Sequence, residues 1–512
     1  TSIYHDGTHS YFTNTTGNIF ITNSGYTYID QNYFRVRNAA GNHMLDVNNG
    51  GTHQGVGLYY TAGSAGTEKL RTSATGITVN GEVAASQDYP NFRPTLDFNF
   101  AAEKKLDPRI TYQRTGPASF VNEFGKVVIV GDNVPRFDHD PITRECKGLL
   151  IEESRTNIFA SSDPAKSAWL LDGGITKGAN TTETTAPDGT FTACKLMSAA
   201  SANSYSQIYD GLSRYTGGVQ SLWVKKGTHN VIGIFDYSGG SGIRGWFDVN
   251  TGEHRCEGGS KVAAGVQSNG NDTNNTNMVE YPNGWYRCIY YEAANMSYAH
   301  FRIVDFDSDN EASASSNSIY LWGLQAEDNN VKFATSFIPC DTGLMPGTIT
   351  RGTDFAKVEG EEFAEFYNNA TEHTTVMVGK RLGDTNTDGR LYTISNGTSS
   401  QVAPDWDFND DTKLRISSNV GGSSQMVQEL NPFNERNDEF KIAAGMAVNN
   451  QIGVVNGTAI ASADTSCLMP TGVDRLYFGL RGDEGNQGSL TIKRFMYYPK
   501  RLPDSQLVTL TS

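Results

Sequence analysis

Nowhere in the 512 residues do apolar side chains recur at i, i+3, i+4 and i+7 over a long, capped segment. Short apolar or alternating runs take the place of that pattern. Val127-Val128-Ile129-Val130 and Leu222-Trp223-Val224 are typical, and Asn, Gly, Asp or Ser interrupts them every few residues. A chain that turns so often satisfies its backbone polar groups by pairing strands, so the fold class is all-β. Aromatic residues make up 11% of the chain, enough to build cores and too many for a disordered polymer. Charged residues are only 19%, so the surface is mostly amide and hydroxyl. With 41 Lys and Arg against 56 Asp and Glu the net charge is −15, and no basic block interrupts it. That balance argues against a nucleic-acid partner. No run reaches the ~18 apolar residues of a membrane span, so no membrane insertion is expected.

The length suggests about three domains. Residues 1–83 form the first region, where words of one to three apolar residues alternate with turns: Asn18-Ile19-Phe20-Ile21, Phe34-Arg35-Val36, Met44-Leu45-Asp46-Val47, Gly76-Ile77-Thr78-Val79. One copy has too little apolar surface to close a core of its own, and three parallel copies would close it. His5, His9, His43 and His53 fall here, as solvated strand positions or as ligands of an axial metal. The words around Ile3-Tyr4-His5-Asp6-Gly7, Gly17-Asn18-Ile19 and Thr75-Gly76-Ile77-Thr78-Val79-Asn80-Gly81 resemble the repetitive shafts of phage structural proteins. They are especially similar to virion fibre proteins of cyanobacterial phages. The resemblance implies a thin homotrimeric β shaft.

The second region covers 84–350. Leu96-Asp97-Phe98-Asn99-Phe100 opens it, and Gly148-Leu149-Leu150-Ile151-Glu152-Glu153-Ser154-Arg155-Thr156-Asn157 follows. Further on come Asn283-Gly284-Trp285-Tyr286-Arg287-Cys288 and Tyr320-Leu321-Trp322-Gly323-Leu324-Gln325. In order and spacing these words resemble a segment and β-sandwich found in phage tail and fibre proteins. The resemblance implies a jelly-roll like that of carbohydrate-binding modules, with 84–157 as its N-terminal extension. The residues agree independently. Asn283-Gly284 is a hairpin-turn dipeptide, and in a strand Tyr320 and Trp322 share one face while Leu321 takes the other. The third region, 351–512, carries strand words at 374–380, 391–395, 441–448 and 451–455, then Leu490-Thr491-Ile492-Lys493-Arg494-Phe495-Met496-Tyr497-Tyr498. It resembles concanavalin-like or laminin-G-like sandwiches, which implies a short closing helix from Pro503 or Asp504. Residues 339–355, with Pro, Gly and Thr, read as a linker.

A sugar-binding surface needs a flat ring for the C–H face of a pyranose and carboxylates or amides for its hydroxyls. Asp405, Trp406 and Asp407 are the best such group, read either as a binding surface or as a solvated loop with Trp406 folded back. Tyr237 is a second candidate, and Trp246 either shares its face or packs in the core. Trp223, Trp285 and Trp322 read as core. Asp384, Asn386 and Asp388, closed by Gly389, match the start of a calcium loop, although Ser395 stands where its last carboxylate belongs. Ca2+ is therefore the one candidate cofactor. The six cysteines form no Cys-x-x-Cys pair and read as buried thiols, with Cys256 and Cys288 able to pair across strands. No nucleophile elbow, P-loop or zinc-protease word is present, so no catalytic residue is assigned and an enzyme is not expected. The expectation is a tailed-phage virion fibre or appendage protein, a receptor-binding adhesin for host surface glycans. Its partners would be two further copies of the chain, other virion proteins and host cell-surface polysaccharide. A structural decoration protein and a glycan depolymerase are the alternatives.

Overall fold

The structure is a computed structural model. It describes residues 2–16, 33–37, 43–48, 55–60, 67–73 and 76–79, and everything from 93 onward except 199–205, 211–214, 236–242, 271–273, 297–298, 307–316, 329–332, 343–347, 369, 384–388, 399, 408–409, 431–438 and 486. The chain divides into two compact units, Thr1–Gln87 and Asp88–Ser512. Within the described residues it is nearly all β, with antiparallel pairing throughout.

The first unit opens with a hairpin of Ser2–His5 and Ser10–Thr13. Asp6 closes its turn by accepting from the backbone N–H groups of Thr8 and His9, and Tyr4 stacks on Tyr11 at 4.7 Å. A five-stranded meander follows: Tyr33–Arg37, His43–Asn48, Gly55–Tyr60, Thr67–Ser73 and Gly76–Val79. Its register sorts the side chains by face. Val36, Leu45, Leu58 and Leu70 lie opposite one another across the strands, and Phe34, Val47 and Val56 form the next row on the same face. Arg35, Asp46, Gly57 and Arg71 line the other, with Arg35 paired to Asp46 at 2.8 Å. On the apolar face Val36, Val47, Leu58 and Ile77 are exposed. The words at 18–21 and 26–29 and His53 lie outside the described residues, as does the side chain of His43.

The second unit holds two sandwiches. One is a jelly roll of two seven-stranded sheets built between Leu170 and Asp328. Its core is Leu222, Val224, Phe247, Met278, Cys288, Tyr290, Phe301, Leu321 and their neighbours. All six cysteines are free, and Cys256 and Cys288 sit unpaired in that core. The other sandwich has two eight-stranded sheets and ends in the helix Asp504–Thr511, which Pro503 starts as expected. The expected strands near 374–380, 391–395, 441–448 and 451–455 appear as Glu372–Arg381, Tyr392–Ser395, Glu439–Ala447 and Ile452–Val455.

The partition of the chain between the sandwiches differs from the sequence reading of 84–157. Leu96–Phe98 and Cys146–Ile151 both pair with Leu490–Tyr498, and Thr111–Gln113 pairs with Phe355–Glu359. Phe98 and Phe100 pack on Phe478, which packs on Phe495 in turn. This stretch therefore belongs to the C-terminal sandwich, and the jelly roll is inserted into it. Alternation shows that Leu96 and Phe98 point inward but not into which core. Residues 339–355 are likewise no free linker. Ile349–Arg351 pairs with Arg155–Asn157, so the strands leading into and out of the insertion lie side by side.

The junction is held by buried charge. Arg136 donates to Glu152 at 2.7 Å, to Ser336 at 2.6 Å and to Asp354, while Arg351 lies 3.0 Å from Glu152 and Arg114 3.5 Å from Asp354. Burial alone would raise the Glu152 carboxyl; the Arg351 and Arg136 guanidiniums and Ser336 outweigh it and hold the pKa at about 2.

Two histidines make the fold acid-sensitive. His254 is fully buried, 2.9 Å from Thr276 Oγ1, and burial draws its pKa down to about 4. His373 lies between Tyr367 and Tyr497, with neither ring nitrogen partnered among the described residues, and burial draws it to about 3. Both stay neutral in the fold and take up a proton in the unfolded chain below ~6.5. Their contribution is therefore full above pH 6.5 and is lost as pH falls towards 4 and 3. His373→Phe should reduce the stability lost between pH 6.5 and 4 by about 3 kcal/mol, measured by urea denaturation across that range. An unchanged pH slope would refute the assignment.

Candidate functional site

The outer face of one jelly-roll sheet looks towards the C-terminal sandwich. It is built from Tyr215–Lys226, Asn274–Tyr281, Trp285–Met296 and Ser318–Asp328. Alternation sends Leu222, Val224, Met278 and Cys288 into the core. It sends Ser221, Trp223, Asn275, Asn277, Val279, Tyr281, Arg287 and Ile289 the other way. Tyr320 and Trp322 share the outer face and Leu321 enters the core, as the sequence pattern requires.

One end of this face is sealed. Trp223, Trp285, Trp322, Tyr281 and Phe337 form an aromatic layer with Val121, Val127, Ala186 and Ala193. Trp223 is its hub, with ring centroids 5.2 Å from Trp322, 5.5 Å from Phe337 and 5.6 Å from Tyr281, all edge-on. The core role expected for the three tryptophans is the one they have. Gly323 permits the layer. Its φ is 63°, and a Cβ there would stand 2.8 Å from the Trp223 ring.

The other end is open and polar. A cavity of about 240 Å³ lies between the sheet face and the C-terminal sandwich. Arg287, Asn275, Asn277 and Gln267 line the sheet side, and Asp138, Lys147, Leu150 and Glu152 line the other. Phe333 and Thr335 close one wall, and Leu382 and Gly383 also reach it. Asp138 is occupied: it accepts from the Val121 N–H at 2.8 Å and lies 3.6 Å from Lys147 Nζ. Glu152 is spent on Arg136, Arg351 and Ser336. Arg287 is only 7% exposed, lies over the Trp223 ring at 4.7 Å and donates one hydrogen bond, from Nη2 to Ser221 Oγ at 2.9 Å. Burial draws its pKa down, against the pull of more distant carboxylates. Nothing in the sequence singled out this group, because its members become neighbours only through strand register and the docking of the second sandwich.

Of the residues expected to bind glycan, the described residues include the side chain of Trp246 alone. The backbone of Asp405, Trp406 and Asp407 lies in the strand Gln401–Asp407, paired with Asp410–Val420, so this stretch is the end of a hairpin and not a free loop. Their side chains lie outside the described residues, as does Tyr237. Trp246 is 5% exposed and packs with Val231, Phe235 and Val304, with the Arg255 guanidinium 4.8 Å above its ring. Its ring is thus not presented to solvent, and the packing role is the one it fills. The expected calcium ligands Asp384, Asn386 and Asp388 also lie outside the described residues. Among the described residues no group of three or more His, Cys, Asp or Glu could hold a metal ion.

No family model matches the sequence and no curated protein matches it. Among solved structures, the chain is similar to the CBM40 of a Ruminococcus gnavus IT-sialidase bound to α2,3 sialyllactose, with 18% identity and a TM-score of 0.27 over 30% of this chain and 88% of that one. It is also similar to a leech intramolecular trans-sialidase, with 17% identity and a TM-score of 0.27 over 31% of this chain and 26% of that one. A Trypanosoma rangeli sialidase in complex with sialic acid has 11% identity and a TM-score of 0.25 over 62% of this chain and 60% of that one.

Gly323→Ala tests the aromatic wall of the cavity. A side chain at positive φ pressed against Trp223 should cost about 1–3 kcal/mol. Thermal denaturation should show the loss, and the near-ultraviolet circular dichroism of the Trp223–Trp322 pair should change. Retention of both signals would show that the glycine is not required.

Proposed function

We propose that this chain is a glycan-binding protein that acts as the receptor-binding part of a phage virion appendage, with the cavity between its sandwiches as the sugar site. One observation carries the reading. Beside an aromatic layer, the sheet face presents a guanidinium with spare donors and the side-chain amides of Asn275, Asn277 and Gln267 to a cavity of about 240 Å³. That is below the ~300–1,000 Å³ of drug-sized pockets and on the scale of one sugar ring. Asn275, Asn277 and Gln267 offer the paired donors and acceptors that vicinal hydroxyls need.

Binding is favoured over cleavage by the carboxylates present. A glycosidase needs one acid kept protonated near neutral pH and a second carboxylate across the scissile bond. Of the two acids lining the cavity, Glu152 is held at about 2 by its arginines, and Asp138 is taken up by Lys147 and a backbone N–H. A glycan array and a host-cell pull-down, each with and without calcium, test the reading. Selective capture is expected, without release of reducing ends. No signal at any calcium level would overturn the adhesin, and reducing ends would make it a depolymerase.

The first unit supports the homotrimer. A single sheet with one apolar face in solvent is an unfinished layer, and two further copies would complete it. Native mass spectrometry should find three times the 55.8 kDa chain. Leu58→Glu, in the middle of the apolar face, should return it to monomer while leaving the unfolding of the second unit unchanged. A wild-type monomer or dimer would exclude the trimeric shaft.

A further inference from the structure

Arg287 stands apart from the other buried arginines of the junction. Arg114, Arg136 and Arg351 each have a carboxylate within ion-pair distance. Arg287 has none among the described residues. Its one hydrogen bond among the described residues, to neutral Ser221, uses Nη2; its Nε is buried without a partner, as are those of Arg114, Arg136 and Arg351, so the missing carboxylate is what sets it apart. A guanidinium carries five donors, so most of this one is unspent. The Trp223 ring offsets part of the desolvation by cation–π attraction, but a ring quadrupole does not neutralise a charge. Burying an uncompensated cation is costly, and such a group is normally paired. The other charges lining the cavity cancel locally: Asp138 lies against Lys147, and Glu152 is neutralised by Arg136 and Arg351. Among the described residues, what remains in the cavity is one positive charge, flanked along the sheet by neutral amides. Asn277 stands across from Ile289 and Asn275 across from Tyr291, one and two rows from Arg287 on the same face.

We propose that the cavity takes an acidic sugar residue of the uronic-acid class, with its carboxylate on the unspent Nη1 end of the Arg287 guanidinium and its hydroxyls on Asn275, Asn277 and Gln267. This rests on the cavity being the glycan site and adds which sugars it prefers. The carboxylate supplies the missing counter-charge, and charge-assisted hydrogen bonds to a planar guanidinium are the strong ones. A neutral sugar filling the same space would leave the guanidinium unpaired.

The test compares galacturonate, its methyl ester and galactose by saturation-transfer NMR on the whole protein. The ester has the same ring without the charge. Wild-type protein should bind the acid about tenfold or more tightly than the ester. Arg287→Gln should bring the two within about twofold, and Arg287→Lys, which keeps charge without the fork, should fall between. Equal binding of acid and ester by the wild type would overturn the proposal without any variant. A preference retained in Arg287→Gln would place the acid elsewhere and overturn it too. If Arg287→Gln fails to fold, Asn277→Trp, which fills the cavity, should abolish acid binding, and retained binding would again overturn it. Failure with all three sugars while the array captures glycans would sink this inference alone. An empty array would sink the glycan reading beneath it.

Discussion

Arg136 is the fixed point of the second unit. It is fully buried and comes from the segment that precedes the jelly roll, and its partners come from three other places. Glu152 lies just before the insertion, Ser336 at the jelly roll's exit and Asp354 just beyond it. Placing these charges in the interior is unfavourable unless every one is met, and removing one partner from such a set costs roughly 3–5 kcal/mol. The surrounding groups meet that condition. Asp354 also accepts from the Glu152 N–H at 2.8 Å and from Tyr112, Glu152 accepts from the Ser336 N–H at 2.7 Å, and Arg351 donates to the Glu153 carbonyl at 2.6 Å. Hydrophobic contact alone tolerates sliding between two sandwiches. A network of directional bonds does not, so the distance between the sheet face and the opposing wall is fixed by this junction.

The cavity follows from that fixed distance and from a change of side-chain type along one sheet face. Where Trp223, Trp285 and Trp322 stand, the hairpin of Ala118–Val121 and Val127–Val130 and the loop at 184–193 cover the face. The indole N–H of Trp285 donates to the Thr185 carbonyl and that of Trp322 to Thr192, so the cover is tied down by hydrogen bonds as well as by area. One and two rows beyond Arg287 the face carries Asn277 and Asn275, and among the described residues the space opposite them stays open as the cavity. The sealed end gives rigidity, and the open end gives chemistry.

Much of the fold was legible in the sequence because it depends on local rules. The turn at Asn283-Gly284 takes the positive φ values its dipeptide favours, and the closing helix starts at Pro503. The faces of Tyr320, Leu321 and Trp322 follow from a period of two. What stayed hidden depends on long-range pairing. Leu96–Phe98 finds its partner some 400 positions later, and nothing local distinguishes that strand from one serving the nearer sandwich. Arg351 and Asp354 sit in a Gly- and Thr-rich stretch that reads as linker until their partners are known. The site was hidden for the same reason. Exposed aromatics beside acids were the visible sign of sugar binding, and Trp246, read as sharing such a face or packing in the core, lies in a packed cluster under Arg255. Arg287, by contrast, looks like an ordinary strand residue between Tyr286 and Cys288.

The proposed preference of an acidic protein for an acidic sugar carries an electrostatic conflict to resolve. At −15 per chain, long-range repulsion opposes a polyanionic glycan. In physiological salt that field decays over ~8 Å, so only charges close to the bound residue act on it. Inside the cavity the nearest unneutralised charge among the described residues is Arg287. The net charge then lowers the encounter rate and suppresses loose attachment to any polyanion, while the single buried guanidinium sets affinity for a residue that enters in register. A site the size of one sugar ring is weak alone, and the proposed trimer, presenting three of them, would gain by effective concentration what a single cavity cannot supply. In the proposed reading the apolar sheet face of the first unit would multiply what the arginine of the second discriminates.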